Sequence, residues 1–94
     1  MVCATAFDDD DPDRITKQAN DTICSLAASV WTRNGGTTRK LASRIRSGTV
    51  WINCHNVFDA SLPFGGYKQS GWDREMGEEV FHNHTEIKAV TAAL

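Results

Sequence analysis

The chain has 94 residues, a net charge of −2 and a pI near 5.8. That balance gives no electrostatic case for nucleic acid or an anionic membrane surface, and no apolar run approaches the ~20 residues needed to span a bilayer. A hydrophobic content of 40% describes globular sequence, either one small domain or part of a larger one.

Residues 2–7, VCATAF, read as a short buried strand, small and apolar with no polar alternation. No basic region precedes them and acidic residues follow at once, so they do not read as a signal peptide. Cys3, Cys24 and Cys54 include no Cys-x-x-Cys spacing and point to reduced thiols of a cytoplasmic protein. Asp8 to Asp11 form an acidic turn, without the spaced ligands and central glycine of a calcium loop. Asp11 is an N-cap and Pro12 suits the first helical position. Ile15 and Ala19 give that helix its buried stripe, and Asn20-Asp21 ends it.

Residues 26–32, LAASVWT, are a second strand, broken by Asn34-Gly35-Gly36. Residues 37–47 form a helix with Leu41 and Ile45 inward. Arg39, Lys40, Arg44 and Arg46 occupy its solvated face, and Gly48 sits where a left-handed C-cap belongs. Residues 49–54, TVWINC, are a third strand, rich in β-formers. Strand, helix, strand, helix, strand implies a parallel sheet, buried on both faces.

Residues 55–72 carry no periodic element, and a loop that long leaving the C-terminal end of a parallel strand is where ligands bind. A last helix is expected over 73–82, with Met76, Val80 and Phe81 inward. Residues 85–94 read as an extended apolar edge strand that a neighbouring subunit would cover.

Nucleotide motifs fail on spacing. Lys68 does not follow a glycine as a P-loop requires, and no G-x-G-x-x-G is present. Cys54 and His55, adjacent on a strand, point to opposite faces and make no activated pair. Cys54, His82 and His84 match no zinc spacing, and there is no nucleophile elbow.

Taken in order, AFDDDDPDRITKQANDT, LAASVWTRN, GTVWINCHNVFDASLPFGGYKQSGWDREMG and HTEIKAV resemble the C-terminal end of the NAD(P)-dependent aldehyde dehydrogenase superfamily, in its phenylacetaldehyde and betaine-aldehyde branch. The resemblance implies an α/β fold: a three-layer parallel-sheet fragment of the catalytic domain over residues 1–84 and an oligomerisation strand over 85–94. It implies that the catalytic cysteine, the general-base glutamate and the NAD or NADP site belong to upstream parts of a complete subunit. Cys3, Cys24 and Cys54 do not match the nucleophile's position, and neither catalytic nor cofactor-binding nor metal residues are expected in this chain. Asn53 and Cys54 match the strand end beneath the substrate tunnel, and Val57, Phe58 and Phe64 the loop lining the aldehyde pocket. Gly65, Gly66, Lys68 and Ser70 match the turn after it, and Glu86 to Val90 the strand paired across the subunit interface.

Two departures stand out. Cys24-Ser25 replace a usual Tyr-Gly, and Asp73 a usual Gly; if those turns need positive φ, each costs about 1 kcal/mol. The function implied is that of a fragment supplying pocket wall and subunit contacts to a homo-oligomeric enzyme that oxidises aldehydes to acids, inactive alone. The alternative is a free-standing interaction module pairing through its C-terminal strand. A metal or redox module built on Cys54, His55, His82 and His84 has the least support in the residues.

Overall fold

A computed structural model describes residues 2–8 and 10–94. Helix α1 spans Pro12–Asn20. The Asp11 carboxylate accepts from the Arg14 amide at 3.1 Å, satisfying one orphan donor of the first turn. Helix α2 spans Gly35–Arg44. It starts two residues earlier than the pattern implies, because Asn34 Oδ1 accepts from both Gly36 N and Thr37 N, at 3.0 and 3.2 Å. The two glycines read as breakers form its first turn instead.

Strands β1 (Cys24–Ser25) and β4 (Tyr67–Lys68) make a short antiparallel ladder. Strands β2 (Ala27–Val30) and β3 (Thr49–Ile52) run parallel, in register from Ala27↔Thr49 to Val30↔Ile52. β2, α2 and β3 thus form the βαβ unit that the alternation of apolar runs and helix predicts. Ile15, Val30 and Leu41 form the core, with Phe7, Ile45 and Val50 packed against it. Leu41 is 1% exposed, a burial that stabilises by about 2 kcal/mol. Asn20 ties the two helices together: its Nδ2 donates to Arg44 O at 2.9 Å and its Oδ1 accepts from Arg46 N at 2.8 Å. Arg44 also pairs with Asp13.

The α/β class with a parallel sheet stands, with two strands in that sheet rather than three. Residues 2–7 carry no ladder and are exposed apart from Phe7; small apolar residues alone do not make a strand without a neighbour for their amides. Burial on both faces fails as well, since Leu26, Trp31 and Ile52 are exposed. Gly48 is not a left-handed cap. The helix ends on Ile45, whose amide still reaches Leu41 O at 2.9 Å. A Cβ at Gly48 would lie 1.5 Å from Gly65 O, so glycine is needed there for close approach.

No α-helix covers 73–82. Glu75 exchanges two 2.7 Å backbone hydrogen bonds with Phe64, and Met76 and Gly77 take φ of 59° and 63°, which no right-handed helix accommodates. Only a 3-10 helix, Glu78–Asn83, follows, with Phe81 exposed rather than inward. Cys24, Ser25 and Asp73 are not among the positive-φ positions, so the strain anticipated for them does not arise. Among the described residues the left-handed non-glycine positions are Asn53, Asn56, Lys68 and Met76. Residues 85–94 are exposed and form no ladder.

Candidate functional site

The site is assembled where β3 leaves the sheet. β3 delivers Trp51, 8% exposed, whose indole N–H donates to Val57 O at 2.7 Å and folds the following loop back over the strand. An edge-to-face series grows from that ring. Trp51 meets His55 at 5.2 Å and Phe58 at 5.7 Å between centroids, and Phe58 meets Phe64 at 5.0 Å. Such pairs contribute about 0.5–1.5 kcal/mol each beyond area burial. Phe58 stays half-exposed while Phe64 is half-buried, so the series presents apolar ring surface to whatever lies against the loop.

Asn53 works in the other direction. At φ 52° it turns the chain out of the sheet. Its side chain then clamps the end of β2: Oδ1 accepts from Thr32 N at 2.9 Å and Nδ2 donates to Thr32 O at 3.1 Å. Cys54 is half-buried and makes no hydrogen bond among the described residues. His55 Nδ1 lies 2.7 Å from Ser29 Oγ, joining the loop to β2. Val57 contributes its carbonyl, while its side chain is exposed.

The glycine-rich loop behind these rings is filled by its own side chains. Arg74 Nη1 donates to the carbonyls of Gly66, Trp72 and Asp73 at 2.9–3.0 Å, and its guanidinium sits 5.4 Å from the centroid of the Tyr67 ring. Lys68 Nζ donates to Asn20 O and Thr22 O at 2.7 and 2.8 Å. A Cβ at Gly65 would lie 2.3 Å from Asp73 O, and one at Gly66 2.4 Å from the Ser70 Cβ. The glycines therefore serve packing, and the loop's cations are spent on backbone carbonyls. Nearby, the Ser61 hydroxyl and then the Ser61 amide hold the Asp59 carboxyl below the usual carboxylate range.

Two clefts adjoin these elements. One of about 320 Å³ takes Phe64 in its wall, together with Leu26, Gly65, Gly66, Trp72 and Glu75. The other, about 1030 Å³, lies between residues 2–8 and β2 and reaches His55. Of the five residues expected to line a pocket, Phe58 and Phe64 are brought together, Val57 supports them through its backbone, Asn53 turns to Thr32, and Cys54 is half-buried outside the ring series. Trp51, His55 and Ser29 are the members that pattern reading missed. Trp51 was visible only as a strand residue, and nothing local in the sequence links Ser29 to His55.

A dinucleotide does not fit these residues. In the turn from β2 into α2, where a pyrophosphate would sit on helix amides, the Asn34 side-chain Oδ1 already takes the Gly36 and Thr37 N–H groups, and at α1 the Asp11 carboxylate takes that of Arg14. Among the described residues no group of three His, Cys, Asp or Glu side chains is placed to hold a metal, and no helix is long and apolar enough to cross a membrane.

A βαβ layer with open sheet edges and a long self-packed loop defines a short segment of an α/β protein. The sequence model of the aldehyde dehydrogenase family matches residues 1–90, and the chain belongs to that family. It is 49% identical over 86 residues to the putative aldehyde dehydrogenase DhaS of Bacillus subtilis (strain 168), covering 92% of this chain and 17% of that protein. It is 48% identical over 82 residues to the mitochondrial benzaldehyde dehydrogenase of Antirrhinum majus, covering 87% and 15%. The NAD+ complex of the aldehyde dehydrogenase from Bacillus cereus superposes with a TM-score of 0.78 at 47% identity, over 82% of this chain and 16% of that one. The chain thus spans about one sixth of the length of these relatives.

Proposed function

We propose that this chain is the C-terminal part of the catalytic domain of an NAD(P)-dependent aldehyde dehydrogenase, and that it supplies an aromatic wall to the aldehyde pocket. The observation that carries the reading is the series Trp51, Phe58, Phe64, hung on the C-terminal end of a parallel strand and held by the Trp51–Val57 hydrogen bond. Ring edges and faces of this kind exclude water and orient an apolar or aromatic aldehyde. A complete subunit oxidises the aldehyde to the acid, with the nucleophile, base and cofactor held by other segments. Cys54 is a wall residue in this reading, and the isolated chain turns nothing over. One relative is named for benzaldehyde and another is an NAD+ complex, which fits both the aromatic wall and the cofactor.

A chimera carrying this chain in place of the matching stretch of the Bacillus subtilis relative is expected to reduce NAD+ or NADP+ with benzaldehyde. Phe64→Ala in that chimera should raise KM by about tenfold, the equivalent of about 1.4 kcal/mol, with a smaller change for acetaldehyde. A chimera that assembles but oxidises no aldehyde overturns the proposal.

A second reading rests on the tail. Ile87 is 94% exposed, and Val90 and Leu94 are exposed beside it; an apolar extended segment of this kind pairs by strand addition. Residues 85–94 are then the subunit-contact strand of a homo-oligomer. Deleting them should convert a discrete dimer or tetramer to monomer in light scattering behind a sizing column. An unchanged mass sinks the idea.

A further inference from the structure

We infer that His55, latched to Ser29, is a positioning residue that fixes the ring wall and thereby sets a preference for aromatic over small aldehydes. This rests on the reading of the loop after β3 as a pocket wall. Phe58 is held by rings, at 5.7 Å from Trp51 and 5.0 Å from Phe64. The loop that carries it turns back over one indole. It touches Trp51 three times, through the His55 ring, the Val57 carbonyl and the Phe58 ring. Those contacts fix the loop only to the strand it has just left.

His55 is the residue of that first turn which reaches the neighbouring strand, with Nδ1 2.7 Å from Ser29 Oγ in β2. Ser29 is also the register partner of Trp51, and partners in a ladder turn their side chains to the same face. The imidazole therefore straddles two strands, bonded to the hydroxyl of one and edge-to-face, at 71°, with the indole of the other. Losing a neutral hydrogen bond of this kind changes the population of an ordered loop by about threefold to tenfold. A wall that is ordered for only a fraction of the time lowers apparent affinity by that fraction, and a bound ring restores the order. The loss falls on KM and spares kcat, and it falls on aldehydes that have a ring to pack.

The test takes the chimera with benzaldehyde and acetaldehyde, and adds hydrogen exchange over residues 55–64 as a readout that needs no turnover. His55→Phe keeps a ring beside Trp51 and loses the bond. Ser29→Ala removes the same bond from the other strand. Each should raise KM for benzaldehyde by about threefold to tenfold, leave kcat and the acetaldehyde KM near the parent's, and speed exchange over 55–64. The two together should do little more than either, since both delete one bond. In a Phe58→Ala background neither should raise the benzaldehyde KM further. Effects that add in full to that of Phe58→Ala, or a kcat that falls for both aldehydes alike, overturn the positioning role. An active chimera whose KM values ignore both substitutions overturns it too and leaves the proposed function standing. A chimera that oxidises no aldehyde overturns the proposed function and with it the choice of aldehyde. Faster exchange on Ser29→Ala then still supports the latch, and unchanged exchange overturns that as well.

Discussion

The two halves of the molecule are held together by different chemistry. Up to Ile52, order comes from regular elements: capped helices, a parallel ladder and a core of Ile15, Val30 and Leu41. From Asn53 onward, among the described residues, there is a two-residue strand, one 3-10 helix and no fully buried apolar side chain. What fixes that half is polar side chain on backbone carbonyl, through Lys68 and Arg74, and backbone against backbone at the glycines. The first kind of order tolerates exchange among apolar residues of similar size. The second depends on one donor or one absent Cβ at one position, and has no substitute of the same kind.

The largest expected effect lies on the seam. Gly48→Ala would drive a Cβ into the Gly65 carbonyl, and neither backbone is free to retreat. It should destabilise beyond the roughly 1–3 kcal/mol of ordinary overpacking and abolish a cooperative thermal melt; a melt within a few degrees of the parent would break the comparison. Arg74→Met keeps the bulk but removes the donor shared by three carbonyls, and should cost about 2 kcal/mol. Hydrogen exchange should show the loosening in the loop while Ala28 and Val30 hold. If both halves loosen together, they are one unit rather than two.

The smallest effect belongs to Asp59. Its folded pKa is depressed by the Ser61 hydroxyl and amide. The stabilisation is therefore present above the ordinary carboxylate range and lost as pH falls through the lowered value. Asp59→Asn should flatten only the acid arm of a melting profile, below the ordinary carboxylate range, and a change at neutral pH would mean that the residue does something else.

The same division governs what could be read from the residues. Asp11-Pro12, Ile15, Leu41 and the β-branched run 49–52 announce their elements because the signal lies within a turn or two of the structure it makes. The helix expected over 73–82 failed because Glu75 is claimed by Phe64, eleven residues away. Gly48 was misread because its requirement comes from Gly65, and residues 2–7 because a strand needs a partner that its own letters do not name. The residues expected at a pocket follow suit. Phe58 and Phe64 are expected there only through the family resemblance of the surrounding run, and that Asn53 faces Thr32 and that His55 meets Ser29 are facts of tertiary register.

The Asn53 clamp has a consequence for how such a loop can vary. By offering a carbonyl and an amide N–H to Thr32, the side chain imitates the peptide unit that the next residue of a strand would have provided. The sheet gains one more rung after the main chain has already departed. The rung belongs to the scaffold and the departure belongs to the loop, so the segment from His55 onward can be lengthened, shortened or recut without unzipping the strands it hangs from.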